Sequence, residues 1–342
     1  MSVFARMNTT YERELLERIA HRSEVVSCEE VTVERLQQLA ERQGIDFATA
    51  WLYKRVRQSP VHGPFIERLE TQPRVLGSPR PLPATLVIVP GAFYVEFPHT
   101  GADGRLLREE AAKFGCSSEL VPLPNFGWLA DNARILCEWL SARPNGPVLL
   151  ASLSKGGADV KMALARPEAA DAFRNVICWI NLSGLLQGTP LVDWLFASKL
   201  RSLWFRLLFW LRGYNFRIIP ELARGSDTPL NFELRLPPHL KAIHVVGFPL
   251  VRHLSNPLAR RCFHRTQHLG PNDGAGIVLA DVGRLPGLVY PVWGADHYLR
   301  PAGLDVREIA RRILQYLSEE WNQLVPEAVT PRQVTGRATG SA

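Results

Sequence analysis

The sequence predicts an α/β protein built on a doubly wound, mostly parallel β-sheet. After residue 84, short apolar runs of strand length alternate with segments that have helical apolar spacing. The first of these runs, at 86–89, ends at Pro90 and Gly91, as a buried strand does where the chain turns away from its sheet. Of the 342 residues, 46% are hydrophobic and 21% charged, a globular composition that excludes a disordered or fibrous chain.

Residues 1–78 precede the predicted sheet and are expected to form a helical N-terminal extension. Apolar residues recur on one helix face in three segments, at 11–19, 33–40 and 47–57. Gly44 is expected to end the second helix, and Asp46 to cap the third. Residues 72–85 hold four prolines, which favours a linker or a wrapping arm between this extension and the sheet.

The sheet and its covering helices are expected to form a core over residues 79–324. The strands are expected at 86–89, 118–122, 148–150, 176–180, 243–246 and 288–292. The helices are expected at 105–114, 129–140, 156–165 and 306–317. In such a sheet, ligands bind outside the carboxyl ends of the strands, so chemistry is expected in the loops that follow them. Residues 325–342 are expected to be a flexible tail.

Charge, cysteines and the first residues narrow the class of protein. The net charge is +7, which is only mildly basic. The five cysteines have wide, irregular spacings without a CxxC pair, which disfavours a disulfide framework or a zinc site. No secretory signal and no apolar run of about 18 residues is present. A cytoplasmic protein that requires no metal or organic cofactor is therefore expected.

A serine in the loop after the third strand is the candidate nucleophile. In the segment ASLSKGG, Ser154 would project from a tight strand-to-helix turn, with the small residues Ser152 and Gly156 two positions before and after it. The backbone N–H of Lys155 would face a developing oxyanion at the helix N-terminus. Glycine usually occupies the first small position, so Ser152 is a departure from the motif. A serine that only caps the next helix is the alternative.

A histidine and a carboxylate are expected to complete this chemistry. His297 follows the last strand and precedes the closing helix, from where it can reach over the sheet to a serine at the turn. Asp273, in an Asn-Asp-Gly turn, is the expected acid that orients the imidazole. Asp281 stays open as the acid if that turn is only a turn. Asp296 is a weaker rival, since neighbouring residues seldom point at each other's ring nitrogens.

The loop after the first strand offers the second oxyanion donor. Gly91 allows a backbone N–H to turn toward the serine, and Ala92 or Phe93 would supply that N–H. A plain Pro-Gly turn is the alternative interpretation. Tyr94, the next residue of the loop, is assigned to the wall of the substrate site.

The order of these parts along the chain resembles that of the α/β-hydrolase superfamily: oxyanion loop, serine turn, acid, histidine and closing helix. The resemblance covers about 84–320. Within it, the segments SKGGAD from 154, SGLLQGTP from 183 and NDG from 272 are similar to lipases and esterases. The missing glycine at position 152 and the missing histidine before Gly91 are departures.

The resemblance implies a serine hydrolase that cleaves a small or lipid-like carboxylic ester with an apolar group, through a Ser-His-Asp triad and an acyl-enzyme. The superfamily also hosts thioesterases and non-catalytic members. Thioester cleavage and a binding role without turnover therefore stay open as alternatives.

Residues 182–240 separate two strands and are expected to form a helical lid. Two interpretations of the apolar stretch 193–212 compete: a lid helix with arginines reaching solvent, or an interfacial helix that contacts anionic lipid. Poor amphipathic separation favours the lid, while peripheral membrane contact through it stays open. The lid and the apolar wall are assigned to Tyr94, Leu185, Trp194, Trp204, Phe205 and Phe209.

A DNA-binding module is the interpretation from another class. At 36–57, Ala40, Gly44 and Ile45 have the spacing of a helix-turn-helix. Residues 1–78, however, hold eleven basic and eleven acidic residues, whereas a DNA reader concentrates positive charge. This module is therefore disfavoured, and no nucleic-acid partner is expected.

Overall fold

The computed structural model describes residues 10–20, 27–73, 79–299 and 306–324. Its strands form one parallel sheet in the order β2-β1-β3-β4-β5-β6. They are β1 Thr85–Val89, β2 Ser117–Leu120, β3 Val148–Leu153, β4 Val176–Leu182, β5 Lys241–Phe248 and β6 Leu288–Trp293. The predicted doubly wound α/β fold is confirmed, and the sheet is parallel throughout.

Helices precede, connect and follow the strands. The N-terminal ones are α1 Thr10–Ala20, α2 Val33–Gln43, α3 Ile45–Gln58 and α4 Gly63–Thr71. Those between strands are α5 Arg105–Lys113, α6 Leu129–Ser141, α7 Lys155–Leu164, α8 Ala169–Ala172, α9 Pro190–Phe196, α10 Lys199–Leu211, α11 Ile218–Glu221 and α12 Pro257–Thr266. The chain described closes with α13 Val306–Glu319 and α14 Trp321–Leu324.

Helices cover both faces of the sheet. Successive side chains of each strand point to opposite sides, so each strand contributes to two cores. Leu86 and Ile88 of β1 belong to a core with side chains of α1–α5 and α13. Val87 and Val89 of the same strand belong to a second core with α6, α7 and α8. This two-sided burial explains why the strands read as continuous apolar runs rather than alternating ones.

The N-terminal helices differ from the expectation at one cap. Gly44 ends α2 with a φ of +93°, as predicted, but α3 begins at the next residue and Gly44 also occupies its cap position. Asp46 therefore lies inside α3 and does not cap it. Its carboxylate instead accepts hydrogen bonds from the hydroxyl of Tyr11 at 3.0 Å and the N–H of Val251 at 2.9 Å. These bonds join α1, α3 and the loop after β5.

Helix α3 is unsuited to reading DNA. Most of its residues between Phe47 and Val56 are buried against the sheet and its neighbours. Its cations are also engaged: Lys54 Nζ donates to the carbonyl of Ile19 at 3.4 Å, and Arg57 pairs with Glu70 at 2.6 Å. A recognition helix needs a free face for the groove. The helix-turn-helix interpretation of 36–57 is therefore wrong for this segment.

The apolar stretch 193–212 is divided between two helices. Helix α9 ends at Phe196, and Ser198 caps α10 by accepting the N–H of Arg201 at 3.4 Å. Within α10, Ser202 and Phe209 are buried, whereas most of the other apolar side chains are exposed. No helix within the described ranges is long and apolar enough to cross a membrane.

Candidate active site

Ser154 alone makes the turn between β3 and α7. The strand ends at Leu153 and the helix begins at Lys155. Ser154 has a φ of +49° and a ψ of −117°, a strained combination for a residue with a Cβ. Its backbone is held by three hydrogen bonds of 3.0–3.1 Å, one from its N–H to the carbonyl of Leu182 and two from the N–H groups of Gly157 and Leu185 to its carbonyl. The surrounding chain thus fixes this strained turn.

Two glycines at the start of α7 permit a close approach of backbone. A Cβ at Gly156 would lie 2.5 Å from the carbonyl oxygen of Val89 and 2.7 Å from that of Pro90, at the end of β1. A Cβ at Gly157 would lie 2.7 Å from the Cα of Gly184, after β4. Helix α7 therefore begins in direct contact with the loops that follow its neighbouring strands.

The departure at Ser152 has a structural explanation. Its buried hydroxyl donates to Asn181 Oδ1 at 2.9 Å and accepts from Trp179 Nε1 at 2.8 Å. Strand register aligns Ser152 with Asn181 of β4, and Asn181 with His244 of β5. Serine is accommodated because two side chains of the adjacent strand satisfy its hydroxyl.

His244 completes this buried row of polar side chains. Its Nδ1 lies 3.1 Å from Asn181 Nδ2, and its Nε2 lies 2.8 Å from the carbonyl oxygen of Pro286. A carbonyl only accepts, so Nε2 carries the proton and Nδ1 accepts from the amide. Burial lowers the pKa of His244 to about 4. The imidazole is therefore neutral at pH 7.

Ser154, His297 and Asp273 form one hydrogen-bonded chain at the carboxyl end of the sheet. His297 Nε2 lies 3.0 Å from Ser154 Oγ, and His297 Nδ1 lies 2.6 Å from Asp273 Oδ2. The N–H of His297 also donates to the carbonyl of Asp273 at 2.7 Å. Asp273 is 0% exposed and His297 is 8% exposed. Two side chains predicted from distant loops thus meet the serine.

The environment keeps Asp273 ionised. Its Oδ1 accepts the backbone N–H groups of Ala275, Gly276 and Ile277 at 3.1, 2.9 and 2.9 Å. Burial by itself would raise the pKa of Asp273, but the charge and hydrogen bond of His297, together with these N–H groups, outweigh it and lower the pKa. The carboxylate can therefore fix the imidazole by accepting its Nδ1 proton.

The pKa of His297 is shifted in the opposite direction from that of Asp273. Burial would lower the pKa of His297, but the charge and hydrogen bond of Asp273 outweigh burial and raise it. With the proton on Nδ1 directed at Asp273, Nε2 of the neutral ring is left to accept a proton from Ser154. The arrangement has the geometry of a nucleophile, a base and an orienting acid.

The rival carboxylates have other partners. Asp281 forms an ion pair with Arg224, with 3.0 Å between its Oδ1 and Nη2 of the arginine. Asp296 accepts the backbone N–H groups of Ser255 at 2.8 Å and Tyr298 at 3.1 Å. The carboxylate brought to the ring nitrogen of His297 is therefore that of Asp273.

The two candidates for the second oxyanion donor differ in their hydrogen bonds. Phe93, with a φ of +60°, donates its N–H to Asn125 Oδ1 at 2.7 Å, so this group is already engaged. Ala92 is then the candidate of the pair. Lys155 is the first residue of α7, where helix geometry provides no intrahelical acceptor for its N–H. Its buried ammonium pairs with Asp159 at 2.8 Å, within the helix.

Asn125 was not identified from the sequence. It lies in the loop after β2, and its amide also bonds Glu96 of the loop after β1. Extending the search for polar side chains to the loop after the second strand would have found it.

Solved structures of other proteins resemble this chain. No protein-family model matches the sequence, and no curated protein matches it. Solved structures do match. The metagenomic carboxyl esterase MGS0156 superposes with a TM-score of 0.54 and 21% identity, over 73% of this chain and 81% of that one. The chain has the α/β-hydrolase fold.

A second solved structure gives the same result. It is the propeptide form of the Bacillus licheniformis lipase BlEst2, with a TM-score of 0.50 and 21% identity, over 75% of this chain and 54% of that one. At this level of identity the likeness establishes the fold of the chain.

Three of the residues assigned to the substrate wall or the lid lie on elements that adjoin the site. Leu185 donates its N–H to the carbonyl of Ser154 at 3.0 Å. A Cβ at Gly276 would be 2.5 Å from Leu185 Cδ2 and 3.6 Å from His297 Cε1, so leucine and imidazole share one wall. Tyr94 donates to the carbonyl of Leu123 at 3.4 Å, which joins the loops after β1 and β2.

Phe209, the third of them, connects α10 to the oxyanion loop through aromatic rings. Its ring centroid lies 5.4 Å from that of Phe126, which in turn lies 4.7 Å from that of Phe93. Tyr214 packs against both Phe126 and Phe209, at 4.6 and 5.7 Å. Helix α10 is thus fastened by its inner face to residues next to Ala92.

Three other assigned residues are placed differently from a substrate wall. Trp194 is stacked between the guanidinium groups of Arg201 and Arg265, each 3.8 Å from its ring centroid. Trp204 is 60% exposed, and Phe205 is half-buried. The inner face of α10 is already filled by Phe209 and Ser202, so Trp204 points to solvent.

One cluster of possible metal ligands occurs in the described ranges, away from Ser154. Atoms of Cys28, Glu29 and His62 lie within 4.8 Å of one another. Burial raises the pKa of Cys28 to about 12, and its thiol donates to Glu29 at 3.1 Å. His62 Nδ1 accepts the N–H of Val289, at the opposite end of the sheet from Ser154. Cys28 and Glu29 are thus bonded to each other, and His62 is bonded to the backbone of β6.

Proposed function

We propose that this chain is a serine hydrolase that cleaves carboxylic esters. The observation that carries the proposal is the continuous chain of hydrogen bonds from Ser154 Oγ through the ring of His297 to Asp273. A buried carboxylate, an imidazole and a hydroxyl in this order are the parts that a nucleophilic serine requires. The strained turn at Ser154 adds support, because strain of this kind clusters at functional sites.

In the first half of the reaction, Ser154 Oγ attacks the ester carbonyl while its proton passes to His297 Nε2. The carbonyl oxygen becomes an oxyanion, and His297 then gives the proton to the departing alcohol, which leaves an acyl-serine. In the second half, water attacks the acyl group, and its proton takes the same route through Nε2 back to Ser154. One ester and one water yield one acid and one alcohol.

The oxyanion is proposed to bind two backbone N–H groups, those of Lys155 and Ala92. Lys155 supplies the N-terminal N–H of α7, where the helix dipole also favours negative charge. Contact of Gly156 with Val89 and Pro90 brings the start of α7 against the loop that carries Ala92. Removing one donor of such a pair costs about 10²- to 10³-fold in kcat.

The substrate is proposed to carry an apolar group. Leu185 Cδ2 and His297 Cε1 both lie against Gly276, so an apolar side chain adjoins the imidazole. Residues 182–240 are proposed to act as a lid, since Phe209 of α10 packs toward the loop after β1. The names of the neighbouring structures, a carboxyl esterase and a lipase, agree with an ester substrate.

Labelling with a fluorophosphonate tests the nucleophile. The intact chain should be modified at Ser154, located by peptide mass spectrometry, and Ser154→Ala should abolish labelling. Ser183→Ala is the matched control, because Ser183 is also buried, has a φ of +47° and follows the next strand. Retained labelling of Ser154→Ala would reject the assignment, and an unlabelled intact chain would favour a binding role without turnover.

A substrate series then separates esters from thioesters. We expect turnover of p-nitrophenyl esters, with kcat/KM rising from acetyl to medium-length acyl groups as the apolar wall is filled. Acyl thioesters of the same lengths are the comparison set. A labelled chain that hydrolyses thioesters and leaves every ester intact would contradict the ester proposal while retaining the nucleophile.

A further inference from the structure

The outer face of α10 is an apolar surface that the described chain leaves uncovered. Its side chains are between 44% and 80% exposed, and they are Leu200, Leu203, Trp204, Leu207, Trp210 and Leu211. At about 100° per residue these six positions fall within an arc about 120° wide. The helix therefore presents one continuous apolar stripe, which we call the α10 outer face.

Cations border this stripe on both sides. By helical position, Lys199 and Arg206 flank one edge and Arg201 and Arg212 the other. Phe209 lies on the opposite side of the helix, buried among aromatic rings. An apolar stripe with tryptophans, edged by Lys and Arg and anchored from behind, is the pattern of a helix that lies in a membrane interface.

The stretch of sequence that contains this helix holds the excess positive charge of the chain. Residues 190–268 hold twelve Lys and Arg against four Asp and Glu, a net charge of +8 that exceeds the +7 of the whole chain. Part of this charge is tied to the helix: Trp194 is stacked between Arg201 of α10 and Arg265 of α12. A net charge of this sign on the segment that carries α10 favours its approach to an anionic surface.

We infer that the α10 outer face binds the surface of an anionic lipid bilayer, with its leucines and tryptophans in the interface and its flanking cations on lipid headgroups. At thirteen residues α10 is too short to span a bilayer, so it lies along the surface. The inference concerns binding and does not depend on the proposed hydrolysis.

Two other occupants fit less well. A second copy of the chain would bring two regions of net charge +8 together, which like-charge repulsion opposes. Residues 325–342 contain no aromatic residue, no leucine and no isoleucine, and a single acidic residue, Glu327. They offer neither large apolar side chains nor a run of negative charge to this surface.

Sedimentation of the full chain with large unilamellar vesicles tests the inference. Vesicles of phosphatidylcholine with phosphatidylglycerol should bind the chain, and binding should weaken at high salt and on vesicles of phosphatidylcholine alone. The double substitution Leu200→Gln with Trp210→Ser should lower the partition coefficient at least about tenfold. Both side chains are exposed, at 80% and 73%, so folding is expected to be retained.

Val61→Ser with Val95→Ser is the matched control, since these valines are also exposed but lie outside α10. The control should bind like the parent. Arg206→Gln with Arg212→Gln should weaken binding to the anionic vesicles and leave the residual binding to neutral vesicles unchanged.

The inference is overturned if the parent chain stays in the supernatant of anionic vesicles at low salt, or if the Leu200 and Trp210 variant binds as well as the control. Analytical ultracentrifugation is run on the same samples. A dimer that the Leu200 and Trp210 substitutions dissociate would assign the surface to a second copy and also overturn it.

Discussion

Two buried histidines at this sheet, His297 and His244, have opposite electrostatics. His297 contacts the carboxylate of Asp273, which raises the pKa of the imidazole despite burial. His244 contacts the amide of Asn181 and the carbonyl of Pro286, which are neutral, so burial lowers its pKa to about 4. Comparable burial therefore yields the proposed base beside the serine in one case and an uncharged packing group in the other, and the charge of one partner makes the difference.

Removing the Ser154 hydroxyl or the His297 imidazole should have the largest effect on ester hydrolysis. Ser154→Ala and His297→Ala are each expected to lower kcat/KM for a p-nitrophenyl ester by roughly 10⁴- to 10⁶-fold, because each breaks the proton path between hydroxyl and imidazole. Thermal unfolding and circular dichroism should remain close to those of the parent. Parental turnover by His297→Ala would remove the imidazole from the mechanism.

Neutralising Asp273, the carboxylate that contacts His297 but has no counterpart at His244, should have the next largest effect on ester hydrolysis. Asp273→Asn is expected to lower kcat by roughly 10³- to 10⁴-fold, because the amide no longer stabilises the imidazolium. The ester activity of the parent should fall as pH drops below the raised pKa of His297. Without the carboxylate this pKa falls, so the acid limb of the kcat/KM profile should move to lower pH.

Asp281→Asn serves as the control for this substitution, because Asp281 pairs with Arg224 rather than with the imidazole. Its acid limb should stay in place. An unmoved limb in Asp273→Asn would mean that another group sets the pH dependence.

The role of His244 should be visible in stability rather than in turnover. Its folded pKa of about 4 lies below its unfolded value, so between the two the unfolded chain binds more protons. The free energy of unfolding should therefore fall as pH drops through this window, with about 3 kcal/mol from this group at most.

His244→Gln, which keeps a donor and an acceptor, should reduce that slope in denaturant titrations at a series of pH values. Ester hydrolysis at neutral pH should persist in this variant. Loss of turnover comparable to that of His297→Ala would show that the two imidazoles are not as separate as their partners suggest.

The smallest effect is expected from substitution of Ser152. This residue of β3 bonds Asn181, which in turn bonds His244. Ser152→Gly removes a hydroxyl that bonds Trp179 and Asn181, and leaving buried partners unsatisfied costs about 1–3 kcal/mol. Urea unfolding of the variant measures this loss. The pH profile of ester hydrolysis should be unchanged, since the contacts of His297 are untouched.

Strands and loops with local signals could be predicted from the sequence. Apolar runs bounded by turn residues predicted the strands, and chain order selected Ser154, Asp273 and His297, which the structure brings within hydrogen-bond reach. Local patterns sufficed because, in a parallel sheet, loops after strands converge at one edge whatever their separation along the chain.

Features that depend on tertiary contacts could not be predicted in this way. Ser152 looked like a departure, because no local pattern shows that the register of β3 against β4 brings Asn181 and Trp179 to its hydroxyl. The two faces of α10 could not be told apart either. Both faces are apolar, although one packs on Phe126 and the other is exposed. Periodicity alone therefore showed little amphipathic separation.

The bare Cα of Gly156 has a consequence for evolution and engineering of this molecule. Any larger residue there would push the first turn of α7 away from the carbonyls of Val89 and Pro90. The gap between the two proposed anion-binding amides is thus set by a missing methyl group. Even alanine at this position should move the two amides apart. The protein would then keep its nucleophile but stabilise the transition state less well.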